Sequence, residues 1–538
     1  MHTAGTGRNL GRDHRGDRGV PDRRPRQLRE HGPPPCGRFD DNHQALRPGR
    51  RPGSGVRGPA RRQDQRTDHA EQGLRGRKRS RGNHRHRGEG VREAHRRTQL
   101  PGQRHPRASH GPGPVTLLRP FPGLVVDPDW ADRVTTGPYD AYSPIQRAAI
   151  AAANIYSFLH VTRSQEDVAP ELRDDVEGLL AGCSAAMQRL YDAGAYVAHD
   201  EPTLFLYRLT VDRPDGGGTG RHRQTGIMGL VPVTEEDDRR ILRHEAVRPG
   251  RTDLLARHLT TVGASSSPVS LTYRATGELT AEVARLCAAE PVLESNSEGV
   301  DQTVWAVTGD DARRLVELLG DRALYVTDGH HRLAAAATAR RRSTDPDGPL
   351  GWVQAVLYPD TEMLVLPFHR CVRDRAGRSA TQLLEALSAT GHLEDRSDAE
   401  DARPDAPGRV GLYLDGSWYS LTLAGATGDR AVDQLDVSRL QASVLTPVFG
   451  ISDAGSDPGI GYIPDPLGLD VLVERCDADG RVGFVLHPTS VEELMAVADA
   501  DERMPPKSSY FEPKPRSGVF VRRLDREHGH TPDEGTLR

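Results

Sequence analysis

From about residue 115 onwards, short apolar runs of strand length alternate with amphipathic segments of helix length, and Gly, Pro and Asp separate them. Pro144–Ala153 predicts a helix, because Ser143 is a good N-cap and Pro occupies the first helical position. Asp415-Gly416 between two apolar runs predicts a hairpin. Further helices are predicted over 171–191, 252–262, 280–288 and 310–319, and strands over 204–211, 226–233, 269–273, 303–307, 410–414, 418–423 and 518–522. This alternation predicts a mixed α/β fold.

The first 114 residues differ from the rest of the chain in composition and charge. They contain 27 Arg and 1 Lys against 11 acidic residues, a local charge of +17, so the remainder carries −21 and the overall −4 averages two unlike segments. With one aromatic residue, Phe39, the segment has too little apolar surface to offset its ordering entropy. We predict that residues 1–114 are a disordered Arg/Gly/Pro-rich extension, or that the start is misassigned and the native protein begins near Val115. A basic arm that binds nucleic acid is the alternative.

The remaining sequence is expected to divide into two parts. Between residues 375 and 405, Asp, Arg, Pro and Ser displace apolar residues, which is typical of a boundary. We therefore predict an α/β core over 115–375 and a C-terminal α/β part with a polar, Pro-rich loop over 376–538.

Cysteine usage and hydropathy bear on the compartment. The five Cys residues are far apart and form no Cys-x-x-Cys pair, which favours reduced thiols. No run of about 18 apolar residues and no secretory segment occurs in the sequence. We expect a cytoplasmic protein without a membrane partner.

One strand-to-helix junction carries the strongest chemical signal. A probable strand ends at Thr327, the turn Asp328-Gly329-His330-His331-Arg332 follows, and an Ala-rich helix is predicted from Leu333 to Arg342. A Gly turn at a helix start directs backbone N–H groups and the positive helix end towards one point, where the His and Arg side chains add donors for phosphate oxygens. Asp328 is a candidate catalytic base or Mg²⁺ ligand. The alternative is a helix cap beside solvated histidines.

A second polar cluster begins at His244, and the histidines also raise the possibility of a zinc site. His244-Glu245 precedes a helix and is followed by Arg248 and Arg251, so Glu245 is a second candidate for the general base, although a surface ion-pair network explains the same residues. Adjacent histidines point in different directions, and His369 is the nearest further ligand, so no zinc is expected.

Seven motifs carry a resemblance to a known family. They are Phe121-Pro122-Gly123, Gly137-Pro138-Tyr139-Asp140, the run from Asn154 to Val161, His244-Glu245, Asp328-Gly329-His330-His331-Arg332, Leu366-Pro367-Phe368-His369-Arg370 and the run from Met504 to Lys514. In these motifs the chain resembles the domain of unknown function 1015 family, from about Leu118 to Leu524. On the same grounds, Lys507 is a candidate phosphate contact, and Asp140 and Asn154 are further candidates.

The turn itself is similar to the phosphate-binding turn of the ParB/sulfiredoxin superfamily, which includes free-serine kinases with the same Asp-Gly-His-His-Arg string. This resemblance implies a ParB/sulfiredoxin-like nucleotide-binding core in which Gly329, His330, His331 and Arg332 bind phosphate beside Asp328. Leu333 stands where relatives often have an aromatic residue, which puts a stacking role in doubt. The turn contains no Cys, so sulfiredoxin reduction chemistry is not expected.

Taken together, the turn and the resemblance predict a phosphotransferase that uses ATP or ADP with Mg²⁺ and a small hydroxylated metabolite, with free L-serine as the first candidate. A nucleotide-binding regulatory protein without turnover is the alternative. A ParB-like nucleic-acid binder is disfavoured, because the −21 charge after residue 114 would be repelled by phosphates. The oligomeric state is not predicted.

Overall fold

The computed structural model describes residues 117–212, 220–234 and 239–525. The strands are β1 Phe121–Val126, β2 Tyr196–Asp212, β3 Arg221–Pro232, β4 Ile241–Leu242, β5 Ala264–Ser265, β6 Val269–Tyr273, β7 Leu293–Ser297, β8 Val300–Val307, β9 Leu324–Asp328, β10 Trp352–Pro359, β11 Leu364–Leu366, β12 Phe368–Arg373, β13 His392–Arg396, β14 Arg409–Leu414, β15 Ser417–Thr422, β16 Ile460–Pro464, β17 Arg481–Leu486, β18 Tyr510–Glu512 and β19 Phe520–Arg523. The α-helices are α1 Ala131–Val134, α2 Pro144–Ala153, α3 Val176–Asp192, α4 Pro249–Val262, α5 Gly277–Leu286, α6 Gly309–Leu319, α7 His330–Arg342, α8 Ala380–Ser388, α9 Ala431–Gln434, α10 Asp436–Leu440, α11 Thr446–Phe449, α12 Leu469–Asp479 and α13 Val491–Asp499.

The larger sheet contains the strand that leads into the Gly329 turn. Its order is β4-β9-β6-β10-β3-β2-β1-β19-β5, and the β7–β8 hairpin joins it through β8 and β2. The β4–β9 and β6–β10 pairs are parallel, whereas the other pairs of this sheet are antiparallel. The last strand of the chain therefore lies in the same sheet as the first, where it pairs with β1.

A six-stranded sheet, called the smaller sheet below, is wholly antiparallel and has the order β13-β15-β14-β17-β12-β16. Strands β11 and β18 form a separate two-stranded antiparallel sheet. The strands of the smaller sheet lie between Phe368 and Leu486 in the sequence. Its core includes Leu412 and Phe484, and the same apolar cluster also contains Tyr325 of β9 and Phe511 of β18. The larger and the smaller sheet thus share buried contacts, and the predicted division between residues 375 and 376 stays a prediction.

The predicted mixed α/β fold is confirmed, and most of the predicted elements are found with small shifts at their ends. Helix α2 has the predicted bounds, and Ser143 forms a capping box with Gln146. Helix α3 begins at Val176 instead of residue 171, because Pro170–Leu172 forms a separate 3₁₀ turn and Asp175 caps the helix. Leu172 is consequently 53% exposed and does not belong to the apolar face of α3.

Some predictions fall outside the described residues. This applies to the prediction for residues 1–114. Within the described residues, no helix is both long enough and apolar enough to cross a membrane.

Candidate functional site

The predicted strand–turn–helix unit is present at residues 324–342. Strand β9 ends at Asp328, Gly329 has φ of +97°, and α7 begins at His330. A residue with a side chain would be strained at this φ, and a Cβ on Gly329 would lie 3.0 Å from Nε of Arg332. The first backbone N–H groups of a helix have no partner within the helix, so the turn directs donors and the positive helix end outwards.

Asp328 is held between two cations. Arg332 donates to Oδ2 of Asp328, and Nζ of Lys514 lies 3.6 Å from Oδ1. Burial alone would raise the pKa of Asp328, but Lys514 and Arg332 outweigh it, so the pKa lies below its usual value. Arg332 also donates to the carbonyl oxygen of Pro268. Asp328 is therefore ionised at neutral pH, and the guanidinium of Arg332 has partners within its own chain.

His330 and His244 form a buried pair behind the turn. Their ring centroids are 4.6 Å apart in an edge-to-face arrangement, and Nδ1 of His330 lies 3.5 Å from Oε2 of Glu245. Burial, followed by the positive charge of Arg503, lowers the pKa of His244 to about 3. Burial and the neighbouring His244 lower the pKa of His330 well below its usual value. Both rings are therefore neutral at neutral pH, and neither adds a positive charge for phosphate.

His331 is oriented by the backbone of the segment that precedes α4. The N–H group of Arg248 donates to Nε2 of His331 over 3.0 Å. Because Nε2 accepts this bond, Nδ1 carries the proton of the neutral ring and can donate to a ligand. Burial and the charges of Arg251 and Arg248 lower the pKa of His331 to about 4.

Glu245 is more open to a ligand than Asp328. Its side chain is 43% exposed, against 17% for Asp328. Burial of its carboxyl group raises the pKa of Glu245, and the charge of Asp328 raises it further, whereas Lys507 and Lys514 act in the opposite direction. A carboxylate with a raised pKa is better suited to accept a proton than one held by two cations.

These residues meet at a cavity of about 320 Å³. Eight of the candidates from the sequence line it: Asp140, Glu245, Asp328, Gly329, His330, His331, Arg332 and Lys507. His244 lies behind the wall, in contact with His330. Asn154 does not line the cavity; its side chain donates to the carbonyl oxygen of Arg133 over 2.6 Å and accepts from the N–H of Tyr156, so it stabilises a turn.

The structure adds residues that sequence reasoning had not selected. Lys514 is the most important, since it faces Asp328 and lies with Nζ 5.1 Å from the centre of the Tyr510 ring. The charges of Asp328 and Asp140 raise the pKa of Lys514 despite its burial. Arg251, which the sequence analysis placed in the second polar cluster with Glu245, also lines the cavity. In the sequence, two signals point to Lys514: it ends the motif from Met504 to Lys514, and it lies in a polar, Pro-rich loop.

The residues around Asp328 do not fit a metal ion bound to its carboxylate. Each oxygen of Asp328 faces a cationic side chain, which would repel a divalent ion. Among the described residues, no group of three or more His, Cys, Asp or Glu side chains is arranged to hold a metal. His369 is fully buried, and its Nε2 lies 2.9 Å from Asp465. The Mg²⁺ role predicted for Asp328 stays a prediction.

Comparison with solved structures gives distant similarities. A free serine kinase mutant in complex with AMP has 11% identity and a TM-score of 0.31, with 56% of this chain and 93% of that chain covered. A conserved hypothetical protein from Pyrococcus furiosus has 12% identity and a TM-score of 0.28, with coverages of 56% and 97%. SbnI with a C-terminal truncation, from Staphylococcus aureus, has 14% identity and a TM-score of 0.29, with coverages of 54% and 85%.

Comparison of sequences is more decisive. No curated protein matches the chain. The sequence model of a family described as a protein of unknown function matches residues 118–438, which is more than half of the chain and includes the Gly329 turn. The resemblance that the motifs predicted is therefore confirmed, and the chain belongs to the DUF1015 family.

Proposed function

We propose that the chain binds the phosphates of ATP or ADP at the Gly329 turn and transfers a phosphoryl group to the hydroxyl of a small metabolite. The observation that carries this proposal is that the N-terminus of α7, three carboxylates and the amines of Lys507 and Lys514 converge on one cavity. Helix N-termini and Lys side chains favour phosphate oxygens. The volume of about 320 Å³ is at the lower end of the range for ligand pockets, about 300–1,000 Å³.

Glu245 is the proposed general base. It takes the proton of the acceptor hydroxyl, whose oxygen forms a bond to the terminal phosphorus of the nucleotide. The bond between that phosphorus and the bridging oxygen breaks, and the nucleotide leaves with the electron pair and one phosphate fewer. The exposure and the raised pKa of Glu245 support this role. Asp328 holds Arg332 and Lys514 beside the transferred group.

The Asp-Gly-His-His-Arg string makes free L-serine the first acceptor to test, since free-serine kinases share it. Mg²⁺ is assigned to the nucleotide, where it offsets the charge of the phosphates. The phosphoryl transfer itself depends mainly on positioning and charge stabilisation, which the described residues supply.

The direct test incubates the full chain with ATP or ADP, Mg²⁺, and either L-serine or pooled hydroxylated metabolites. Mass spectrometry then detects phosphorylated products. A product that depends on the protein supports the phosphotransferase. Tight nucleotide binding without product would favour the regulatory protein instead, and absence of binding would contradict both.

Two variants separate the roles of the carboxylates. Glu245→Gln should lower turnover about a hundredfold or more while nucleotide affinity measured without metal changes little, because it removes a base and retains the shape. Asp328→Asn should lower turnover and also reduce stability by about 1.5–3 kcal/mol, because Lys514 and Arg332 lose a charged partner. Full activity of Glu245→Gln would remove its role as the base.

A further inference from the structure

One face of α4 lines the cavity from Arg251 to Val262. The residues of this helix that line the cavity are Arg251, Leu254, Leu255, His258, Leu259 and Val262. They recur at intervals of three, one, three, one and three residues, which places them on one side of a helix. From Arg251 to Val262 the helix rises about 16 Å. The cavity is therefore elongated, with Arg251 at one end of this face and four aliphatic residues and His258 along the rest.

The surfaces opposite α4 are also apolar in this part of the cavity. Leu180 and Met187, seven residues apart on α3, face the cavity, and Ala335 and Ala336 of α7 line it one turn after the phosphate-binding residues. We call the part lined by Leu180, Met187, Leu254, Leu255, Leu259, Val262, Ala335 and Ala336 the apolar lobe. Protein interiors are normally close-packed, and unfilled apolar space reduces stability. A ligand with an apolar group would fill it.

Three polar side chains near the apolar lobe have partners within the protein. The Thr162 hydroxyl donates to the carbonyl oxygen of Phe158, and the Ser265 hydroxyl donates to Gln354. Nε2 of His258 lies 2.7 Å from the carbonyl oxygen of Val161. Burial lowers the pKa of His258, so its ring is neutral at neutral pH. The polar edge of a nucleobase would lose hydrogen bonds to water here, whereas an aliphatic or aromatic group would not.

We propose that the apolar lobe binds a hydrophobic group of the acceptor, so that the substrate class is a primary alcohol with an apolar substituent. This inference rests on the proposed function, and it narrows the class of small hydroxylated metabolites to alcohols that are more apolar than L-serine. The acceptor hydroxyl would lie at the charged end, near Glu245 and the Gly329 turn, with its substituent along α4.

The test measures binding of straight-chain primary alcohols, from ethanol to 1-octanol, to the full chain by calorimetry. Each methylene that enters the apolar lobe should tighten binding about fourfold, until the lobe is full. The same order should appear in the KM values for phosphoryl transfer. Affinity that does not change with chain length would overturn the proposal.

A matched pair of variants tests whether the apolar lobe causes the gain in affinity with alcohol chain length. Leu259→Gln places a polar group in the apolar lobe and should abolish most of the gain with chain length. Leu318→Gln changes a partly buried leucine of α6 that does not line the cavity, and the gain should persist. Nucleotide affinity should be the same in both variants. An equal gain in affinity with chain length in both variants would overturn the proposal. If Leu259→Gln does not fold, the alcohol series measured on the unaltered chain tests the proposal.

Failure of this inference differs from failure of the proposed function. Transfer to L-serine without any gain along the alcohol series would retain the phosphotransferase and remove the hydrophobic acceptor. A gain along the series without any phosphoryl transfer would retain the hydrophobic ligand and remove the phosphotransferase. If ADP and 1-octanol exclude each other, the apolar lobe holds the nucleobase and the proposal is wrong.

Discussion

At the scale of single residues, Arg332 links the Gly329 turn to the segment before β6. Its guanidinium bridges the carboxylate of Asp328 and the carbonyl oxygen of Pro268, so it orients the turn against the segment before β6. A planar group with several donors can make both contacts and still present an edge to a phosphate, whereas the ammonium of Lys is a point charge. Recognition of phosphate and maintenance of the turn thus depend on the same side chain.

We expect Arg332→Lys to weaken nucleotide binding about ten- to a hundredfold, because a charge-assisted hydrogen bond contributes about 1.5–3 kcal/mol. Arg378 offers a matched control, since it pairs with an Asp four residues earlier and donates to a backbone carbonyl oxygen, that of Val448. Arg378→Lys should reduce stability similarly and leave nucleotide affinity unchanged. Calorimetric titration with ADP measures both, and unchanged affinity in a folded Arg332→Lys protein would contradict the phosphate role.

At the scale of elements, the junction between β9 and α7 depends on one backbone conformation. Gly329 has φ of +97°, and the helix that follows buries Leu333, Ala336 and Ala337 against the larger sheet. The apolar face of α7 thus fixes the helix, and the glycine lets the chain enter it with the N–H groups directed at the cavity.

Gly329→Ala should reduce stability by about 1–2 kcal/mol, because an L-residue is disfavoured in the left-handed region. It should also abolish detectable nucleotide binding, since the added Cβ would displace Arg332. Gly309, the first residue of α6, has φ of +57° and open space around its Cβ position. Gly309→Ala should show the loss of stability without the loss of binding. Urea unfolding and ADP titration of both variants measure these effects; equal ADP affinities would exclude a role of the turn in binding.

At the scale of the whole molecule, the larger and the smaller sheet are joined by a shared apolar cluster and by a strand that returns to the larger sheet. One apolar cluster includes Tyr325 of β9 together with residues of the smaller sheet, and β19 returns from the C-terminal part to pair with β1. Such sharing favours a single cooperative unfolding transition over two independent domains.

Phe520→Ala in β19 tests this cooperativity. Phe520 is buried against Phe205 and Tyr207, so the change should cost about 3–5 kcal/mol. Unfolding in urea is measured by tryptophan fluorescence in two single-tryptophan variants of the chain. One variant keeps only Trp305 of β8, and the other keeps only Trp418 of β15. We expect the same shift of the midpoint at both positions. A shift at Trp305 alone would support the predicted boundary near residue 376 instead.

The sequence by itself determined the features that depend on neighbouring residues. Ser143 and Pro144 define the start of α2, Asp415-Gly416 defines the hairpin between β14 and β15, and the glycine between β9 and α7 defines the turn. Caps, turns and periodicity act over a few residues, so they can be read from a short stretch of sequence. The family also follows from such motifs.

Only the tertiary structure decided which distant residues meet at the site. It brings Lys514 to Asp328, sets Glu245 beside His330, and holds Asn154 in a structural turn. It also joins α3, α4 and α7 around one elongated cavity. These contacts depend on how the helices pack and on where the final strands return to the sheet. No local pattern encodes that packing, because the partners are separated by tens to hundreds of residues.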